Sequence, residues 1–338
     1  MGSTNRRNGL PTAVARDCPA TSSKVRGRIR AAKGSRTRAS AAAPNRSSED
    51  IAVTLVGMST PELDIRTVED PDSLVAWPAG QPYMSCELAA GELLSAYSAT
   101  QAGEVVAVCF VKDSSNMRDQ PWATVVGQPD ASLGLISACL TDHPSVLDGG
   151  QLSGCTIPRA AYESLRASLD LRGISWAHEG QGAPWDWWWT DTSPTPTPLF
   201  DKVQWLDGSE QGVASQIKEL LNLASPTHWA GPENPLATRW AGIVDSSGSV
   251  VSCAAETMRI AGKPHLASVA THPDHRGQGL ALAVTGWLTQ QLLTEFPIVT
   301  LGMHADNDSA RTVYTKLGYH CDYSWFSSGF ASMPASSL

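Results

Sequence analysis

The segment that most constrains the fold is residues 269–284, VATHPDHRGQGLALAV, in which an apolar strand runs through a glycine-rich turn into an apolar helix. Gly277 and Gly279 allow the backbone to pass close to a ligand. The amides of the first helical turn have no acceptor within the helix and lie at the positive end of its dipole, and Arg276 adds a cation beside them. The segment therefore predicts an anion-binding loop at a helix amino terminus.

The elements around this loop exclude a dinucleotide-binding unit. The strand before the loop is the last of three predicted strands, joined by the turn sequences SSGS and AGKP into an antiparallel meander, whereas a dinucleotide fold needs a βαβ unit. Hydrophobic periodicity predicts the secondary structure of the whole region around the loop. It predicts strands at 239–245, 250–260, 266–271, 298–303 and 319–326, and helices at 211–223, 280–296 and 310–317.

A second motif, NDSARTVYTKLGY at residues 307–319, follows the loop. Together with RGQGLA at 276–281 it resembles the GNAT acetyltransferase superfamily, whose pyrophosphate-binding motif has the form RxxGxA and whose later segment has the form NxxAxxxYxxLGF. The resemblance covers about residues 200–330. The sequence LGYHCDYSWF is also similar, more distantly, to glycine N-acyltransferase-like proteins.

This resemblance implies an α/β (α+β) fold with a mixed, mostly antiparallel sheet flanked by helices, and a site for an acyl-CoA. The backbone edge near Val269 and Thr271 would pair with the pantetheine arm and polarise the thioester carbonyl, and Asn307 would meet the same arm. Tyr314 would protonate the departing thiolate. From the residues alone, Tyr314 is a core residue and Asn307 a helix N-cap, and both interpretations stay open. The amides that would hold the pyrophosphate are those of Arg276, Gly277, Gln278, Gly279, Leu280 and Ala281.

The general base is the point at which the sequence departs from the family pattern. Many family members place a carboxylate nine residues before the motif arginine, where this chain has Ala267. A four-residue AGKP loop predicts a register that sets Glu256 opposite Val269, and Glu256 is therefore the first candidate, with a solvated or paired strand residue as the alternative. His265 lies four residues from Val269, roughly 13 Å along a strand, too far to act without a water chain.

The region before residue 200 has a globular composition and a weaker pattern. Strands are predicted at 105–111, 121–126 and 133–140 and a helix at 158–171, which indicates an α+β domain compatible with a decayed copy of the same fold. Trp185 and Trp187–Trp189 predict either a strand packed on both faces or a wall of the acceptor cleft. The predicted organisation is a basic tail at 1–57, an amino-terminal domain at 58–192, a proline-rich linker at 193–200 and an acyl-CoA-binding domain at 201–330.

Charge is distributed unevenly along the 338 residues. Residues 1–50 carry 11 Lys and Arg against 3 Asp and Glu, and the rest carries 14 against 30. The acidic body disfavours nucleic acid as a partner, because phosphate neutralisation needs clustered cations. The tail, predicted to be disordered, fits a solvated extension, a targeting peptide, a basic arm or an upstream extension before Met58.

The sequence thus predicts an acyl-CoA-dependent N-acyltransferase that uses acetyl-CoA or another acyl-CoA, needs no metal and acts on a small-molecule amine by direct attack. Seven cysteines without a CxxC pair favour a reducing, cytoplasmic compartment, and no apolar run reaches the ~18 residues of a membrane span. The alternative is a non-catalytic acyl-CoA-binding regulatory module. The acceptor, the acyl length and the oligomeric state stay open.

Overall fold

A computed structural model describes residues 63–112, 120–145, 150–170, 174–176, 183–258 and 261–332. The basic tail lies outside the described residues. Thirteen strands of the described chain form one sheet, and six helices pack on it. The strands are β1 Asp64–Thr67, β2 Leu93–Gln101, β3 Glu104–Lys112, β4 Trp122–Gly127, β5 Gly154–Pro158, β6 Ile174–Trp176, β7 Ala183–Thr190, β8 Gln204–Leu206, β9 Ala237–Val244, β10 Val250–Met258, β11 Pro264–Thr271, β12 Val299–His304 and β13 His320–Ser332. The helices are α1 Tyr83–Glu87, α2 Ser132–Asp142, α3 Tyr162–Asp170, α4 Gln211–Ala224, α5 Leu280–Leu293 and α6 Asp308–Lys316.

From each edge of the sheet inward, five strands follow one another in chain order, β1 to β5 from one edge and β8 to β12 from the other. The full order is β1-β2-β3-β4-β5-β13-β7-β12-β11-β10-β9-β8, with β6 paired to β13. The only parallel neighbours among the described strands are β4 with β5 and β11 with β12, and a helix connects each pair. The mixed, mostly antiparallel sheet flanked by helices is therefore confirmed, and the amino-terminal half repeats the order of elements of the carboxy-terminal half.

The two halves meet at β7 and β13, the central strands of the sheet. β7 precedes the proline-rich run in sequence, yet it pairs with β12 of the carboxy-terminal half. β13 is the last strand, yet its second part pairs with β5 of the amino-terminal half. The sheet thus continues across the predicted boundary near residues 193–200, and the boundary itself stays a prediction.

One predicted element of the amino-terminal half is wrong. The segment 133–140 was expected as a strand, but residues Ser132–Asp142 form α2. Leu135, Ile136, Cys139 and Leu140 are buried on one side of that helix, a spacing of three and four residues. A short apolar run carries both periodicities, and the helix forms because this face covers the core between β3 and β4.

Helices cover both faces of the carboxy-terminal half. α5 packs with Ala283, Val284 and Leu288 against β9–β12 on one face, and α4 covers the other face with Ile217 and Leu221. Burial of these side chains fixes the position of the turn that joins β11 to α5 at one end of the sheet. No helix among the described residues has the length and apolar character needed to cross a bilayer.

Candidate functional site

The turn between β11 and α5 is open at the amino terminus of the helix. Gly277 and Gly279 have φ of +76° and +79°, in the left-handed region that favours glycine. A Cβ on Gly277 would meet no atom within 4 Å. Gly279 occupies the N-cap of α5 without a side-chain hydrogen bond, whereas Glu210 caps α4 and Asn307 caps α6. The first-turn amides of α5 therefore lack the side-chain acceptor that the other two helices have.

Arg276 connects this turn to the end of another helix. Its Nε lies 3.3 Å from the carbonyl oxygen of Thr271, and its Nη2 lies 3.2 Å from the carbonyl oxygen of Ala224, the last residue of α4. Both carbonyls accept hydrogen bonds from the guanidinium, which keeps its charge at an exposed position beside the turn. Positive charge and unoccupied amides thus lie together, an arrangement suited to phosphate.

A β-bulge shapes β11 just before the turn. Ser268 has φ of +54°, and the register between β10 and β11 shifts between the pairs Cys253–Ala270 and Ala255–Ala267. The Ser268 hydroxyl donates to the carbonyl oxygen of Ala230 at 2.6 Å, which anchors the bulge to the loop before β9. Bulges re-aim the backbone of a strand, and here Ser268 and Val269 are left out of the regular ladder with β10.

The strands β11 and β12 separate beyond the bulge and border a cavity of about 1410 Å³. In the described strands their parallel pairing is limited to His265 with Thr300 and Leu266 with Leu301. The predicted site residues that line the cavity are Val269, Thr271, Arg276, Gly277, Gly279, Leu280, Ala281, Asn307 and Tyr314. Gln278, which was predicted with them, is exposed and does not line it.

Tyr314 lies in the core and also lines the cavity. Its ring is buried, with its centroid 6.5 Å from that of Trp188 and 5.9 Å from that of Tyr319. Burial raises the pKa of the Tyr314 hydroxyl to about 12, because the anion loses solvation. The residue therefore belongs to the core, lines the cavity and holds its proton at neutral pH.

Asn307 is the N-cap of α6 and also lines the cavity. Its side-chain oxygen accepts a hydrogen bond from the amide of Ala310 at 3.0 Å, which confirms the N-cap. The Ser309 hydroxyl donates to the same oxygen at 2.9 Å. Asn307 lies at the start of α6 and borders the cavity, so that capping places it there.

The register predicted for Glu256 is wrong. Glu256 lies opposite Leu266, and His265 lies opposite Thr257, because the last pair of the hairpin is Met258 with Pro264 rather than Ile260 with His265. The Glu256 carboxylate is 1% exposed, is bound by Arg239 and is not among the described side chains that line the cavity. Arg239 also contacts Glu295 at 2.7 Å. The observed contacts of Glu256 are those of a paired strand residue.

His265 is the titratable side chain that the structure brings to the cavity from β11. It is 4% exposed, and its Nδ1 lies 2.9 Å from Thr300 Oγ1. The Thr300 hydroxyl donates to the carbonyl oxygen of Pro264 at 3.3 Å, so it accepts from Nδ1–H and favours the tautomer with the acceptor on Nε2. Strand alternation with Leu266, which faces the core, was the sequence signal for this orientation.

No group of three or more His, Cys, Asp or Glu side chains arranged to hold a metal ion occurs in the described part of the chain. Cationic side chains outnumber anionic ones among the polar residues that line the cavity, beside its backbone amides and hydroxyls. The charged side chains are Lys112, Arg276, Lys316 and Glu87, and the imidazoles are those of His228, His265, His275 and His304. Such a set suits an anionic organic ligand better than a cation.

Comparison with known proteins extends the sequence resemblance. Residues 241–326 match the family model described as "FR47-like protein". No curated protein matches the chain. The chain is similar to a GCN5-related N-acetyltransferase from Sphaerobacter thermophilus, with 14% identity, a TM-score of 0.47 and coverage of 80% of this chain and 95% of that chain. It is similar to a GNAT-family acetyltransferase from Colwellia psychrerythraea, with 15% identity, a TM-score of 0.43 and coverage of 79% and 100%.

A third similar structure is a tandem GNAT protein from the clavulanic acid biosynthesis pathway, with 13% identity, a TM-score of 0.37 and coverage of 82% of this chain and 100% of that chain. The family match contains β10, β11, α5, β12 and α6, and so includes both motifs on which the resemblance was drawn. The resemblance of the carboxy-terminal region to the GNAT acetyltransferases is thereby confirmed.

Proposed function

We propose that this protein is an N-acyltransferase that transfers an acyl group, acetyl in the first instance, from acyl-CoA directly to an amine. The observation that carries the proposal is the uncapped amino terminus of α5, which opens into the same cavity as the bulge of β11 and the ring of Tyr314. A diphosphate at the α5 amides sets the coenzyme at one end of the cavity, and its pantetheine arm then extends along β11.

The residues of the chain take separate parts in this reaction. The backbone around Val269, freed from the ladder by the bulge, donates to the thioester carbonyl and stabilises the negative charge that develops on its oxygen. The substrate amine attacks the carbonyl carbon, the carbon–sulfur bond breaks, and Tyr314 gives its proton to the thiolate. Its raised pKa keeps that proton available over the whole neutral range.

The proton lost by the amine needs an acceptor, and His265 takes the place that Glu256 was expected to fill. In this proposal the imidazole, on the wall of the cavity, accepts the proton through a water molecule. The imidazole of His265 lies on the wall of the cavity, whereas the carboxylate of Glu256 is held by Arg239.

The test is thiol release from acetyl-CoA with a panel of primary amines, measured beside coenzyme binding by calorimetry. Amine-dependent thiol release that falls with Arg276→Ala through the KM for acetyl-CoA supports the proposal. Tight coenzyme binding without turnover on any amine would contradict it and favour the non-catalytic binding module, for which the alanine at position 267 is the argument.

A further inference from the structure

The cavity does not end at the coenzyme site but continues over strands of the amino-terminal half. Beyond β12 its lining includes residues of β3, β4, β5, β7 and β13. These are Phe110, Lys112, Trp122, Thr124, Thr156, Trp185 and Ser327. The part of the cavity that they line, here called the aromatic arm, has no role in the coenzyme site.

The register of the sheet places these residues on one face. Lys112 pairs with Trp122, Thr124 with Thr156, and Thr156 with Ser327. Residues in register on adjacent antiparallel strands, and on parallel strands in the same phase, project to the same side. The neighbouring positions Ala123 and Cys155 point to the opposite face, into the core beneath α2 and α3.

A chain of hydrogen bonds fixes the two indole rings of the aromatic arm. Trp122 Nε1 donates to Thr156 Oγ1 at 3.0 Å, Thr156 Oγ1 lies 2.7 Å from Ser327 Oγ, and Trp185 Nε1 donates to Ser327 Oγ at 2.8 Å. The two indole nitrogens are thus less than about 9 Å apart, a width that one ring-bearing molecule can span. Both polar edges are bound in the wall.

Gly302 lies between the aromatic arm and His265. A Cβ at Gly302 would lie 3.5 Å from the ring of Trp185 and 3.9 Å from Cε1 of His265. Because residue 302 has no side chain, the space between the imidazole of His265 and the indole of Trp185 stays open. At about 4.8 Å between neighbouring strands, Trp185 on β7 stands roughly 10 Å from β11, the distance of a short spacer between an amine and a ring.

We infer that the aromatic arm is the acceptor subsite and that it selects amines carrying an aromatic or flat apolar group a few bonds from the nitrogen. The inference rests on the proposed function for its reaction. Fixed indole rings stack with a second ring at little cost in side-chain entropy, and their faces attract an ammonium group on its way to the thioester. Lys112, whose ammonium donates to the carbonyl oxygen of Glu87, provides a polar boundary at the far end.

The experiment compares 4-phenylbutylamine with n-butylamine as acceptors at saturating acetyl-CoA. We expect kcat/KM to be at least tenfold higher for the aryl amine in the unmodified protein. Trp185→Leu should reduce this ratio below threefold, mainly through a higher KM for the aryl amine. Trp189→Leu is the matched control, because Trp189 lies on the same strand but donates to Asp322 and is not part of the cavity lining. It should leave the ratio unchanged.

Ser327→Ala gives an independent arm in case Trp185→Leu fails to fold. It removes only the hydroxyl that accepts from Trp185 and contacts Thr156, and it should lower the ratio several-fold while the KM for acetyl-CoA stays constant. A ratio near one in the unmodified protein would overturn the inference, as would variants that reduce both amines equally.

If no amine is acylated, the proposed function fails and the subsite is then decided by binding. Calorimetry with 4-phenylbutylamine and CoA present should show an affinity that Ser327→Ala weakens about tenfold. Absence of binding, or binding that this variant does not change, would overturn the aromatic arm as an amine subsite.

Discussion

The two strand-to-helix turns of the sheet, β4 into α2 and β11 into α5, have equivalent places in the two halves but different surroundings. Between β4 and α2, Pro129–Ala131 form a 3-10 turn that runs directly into the helix, and the amide of Ala131 donates to the carbonyl oxygen of Gln128 at 3.2 Å. Asp130 adds a negative charge at this point. Between β11 and α5 a similar 3-10 turn forms at Pro273–His275, but it does not run into the helix: Arg276 and two glycines follow it and leave the helix amides open.

The glycines of the two turns show the same contrast. Gly127 has φ of +119°, and a Cβ there would lie 2.4 Å from the carbonyl oxygen of Val106. A Cβ placed on Gly277 would have no atom within 4 Å. Glycine at residue 127 allows one strand to approach another, whereas glycine at residue 277 leaves room for a ligand.

The last helices of the two halves, α3 and α6, differ in their buried side chains. On α3 the buried side chains are Leu165 and Leu169, and on α6 the buried side chain is Tyr314. Packing of this helix on the sheet therefore does not require a tyrosine, because leucines serve in the amino-terminal half. What the comparison teaches is that the open glycine turn and the buried tyrosine lie in the carboxy-terminal half, whereas the amino-terminal half has the same architecture and contributes a wall of the cavity.

The largest expected effect is that of Tyr314→Phe. Loss of the proton donor should reduce kcat about 100-fold while the KM for acetyl-CoA stays within twofold. Because burial raises the pKa of Tyr314 to about 12, kcat of the unmodified protein should not fall up to about pH 10 through loss of this proton. Stopped-flow thiol release across pH measures both.

Tyr319→Phe is the control for Tyr314→Phe. Tyr319 is equally buried, and its hydroxyl lies 2.7 Å from that of Thr289, away from the cavity lining. It should change stability and leave kcat nearly constant. Equal losses of kcat in both variants would remove Tyr314 as the acid.

The next effect separates the two glycines. Gly127→Ala should lower the free energy of unfolding by about 3 kcal/mol, since the added Cβ meets backbone atoms that cannot move independently. Gly277→Ala should cost only the ~1 kcal/mol of a left-handed residue. Urea unfolding followed by tryptophan fluorescence gives both values. Similar losses would contradict the contrast between a packed and an open turn.

Glu256→Gln should have a smaller effect, on stability alone. The amide keeps a hydrogen bond to Arg239 but loses the charge, and we expect a loss of about 1–2 kcal/mol in the free energy of unfolding. The pH profile of kcat/KM should be unchanged in this variant, whereas His265→Gln should lower kcat at a constant KM for acetyl-CoA. A shifted profile in the Glu256 variant would restore that carboxylate as the base.

The smallest effect is expected for Gln278→Ala. The side chain of Gln278 is exposed and is not part of the cavity lining, so CoA affinity should change less than twofold. Calorimetric titration of CoA checks this. A tenfold loss would show that a side chain, and not the backbone alone, holds the coenzyme at this position.

Local patterns in the sequence were sufficient for the elements of the site. The glycines at 277 and 279, the N-cap Asn307 and the apolar face of α6 each depend on neighbouring residues, and the structure has these elements where the patterns predict them. The Ser268 bulge was not predictable in this way, because a serine at φ of +54° has no sequence signal comparable to glycine. The error in the Glu256 register has a separate cause, because the hairpin pairs end at Met258 with Pro264 instead of Ile260 with His265.

Pairing between distant strands was also beyond the sequence. The exchange of β7 and β13 between the halves joins residues more than 100 positions apart, and it brings Trp185, Thr156 and Ser327 together. The sequence shows an aromatic strand around Trp185 and two hydroxyl residues far from it. Only the order of strands in the sheet shows that the three side chains lie on the same face.

The most direct test of the account is the affinity for CoA of two variants at one position, Gly277→Asp and Gly277→Asn. Both residues tolerate a left-handed backbone, and both side chains enter the open space beside the α5 amides. The carboxylate should weaken CoA binding about 100-fold through repulsion of the diphosphate, and the neutral amide should weaken it less than tenfold. Equal affinities for the two variants would contradict a diphosphate at this helix terminus.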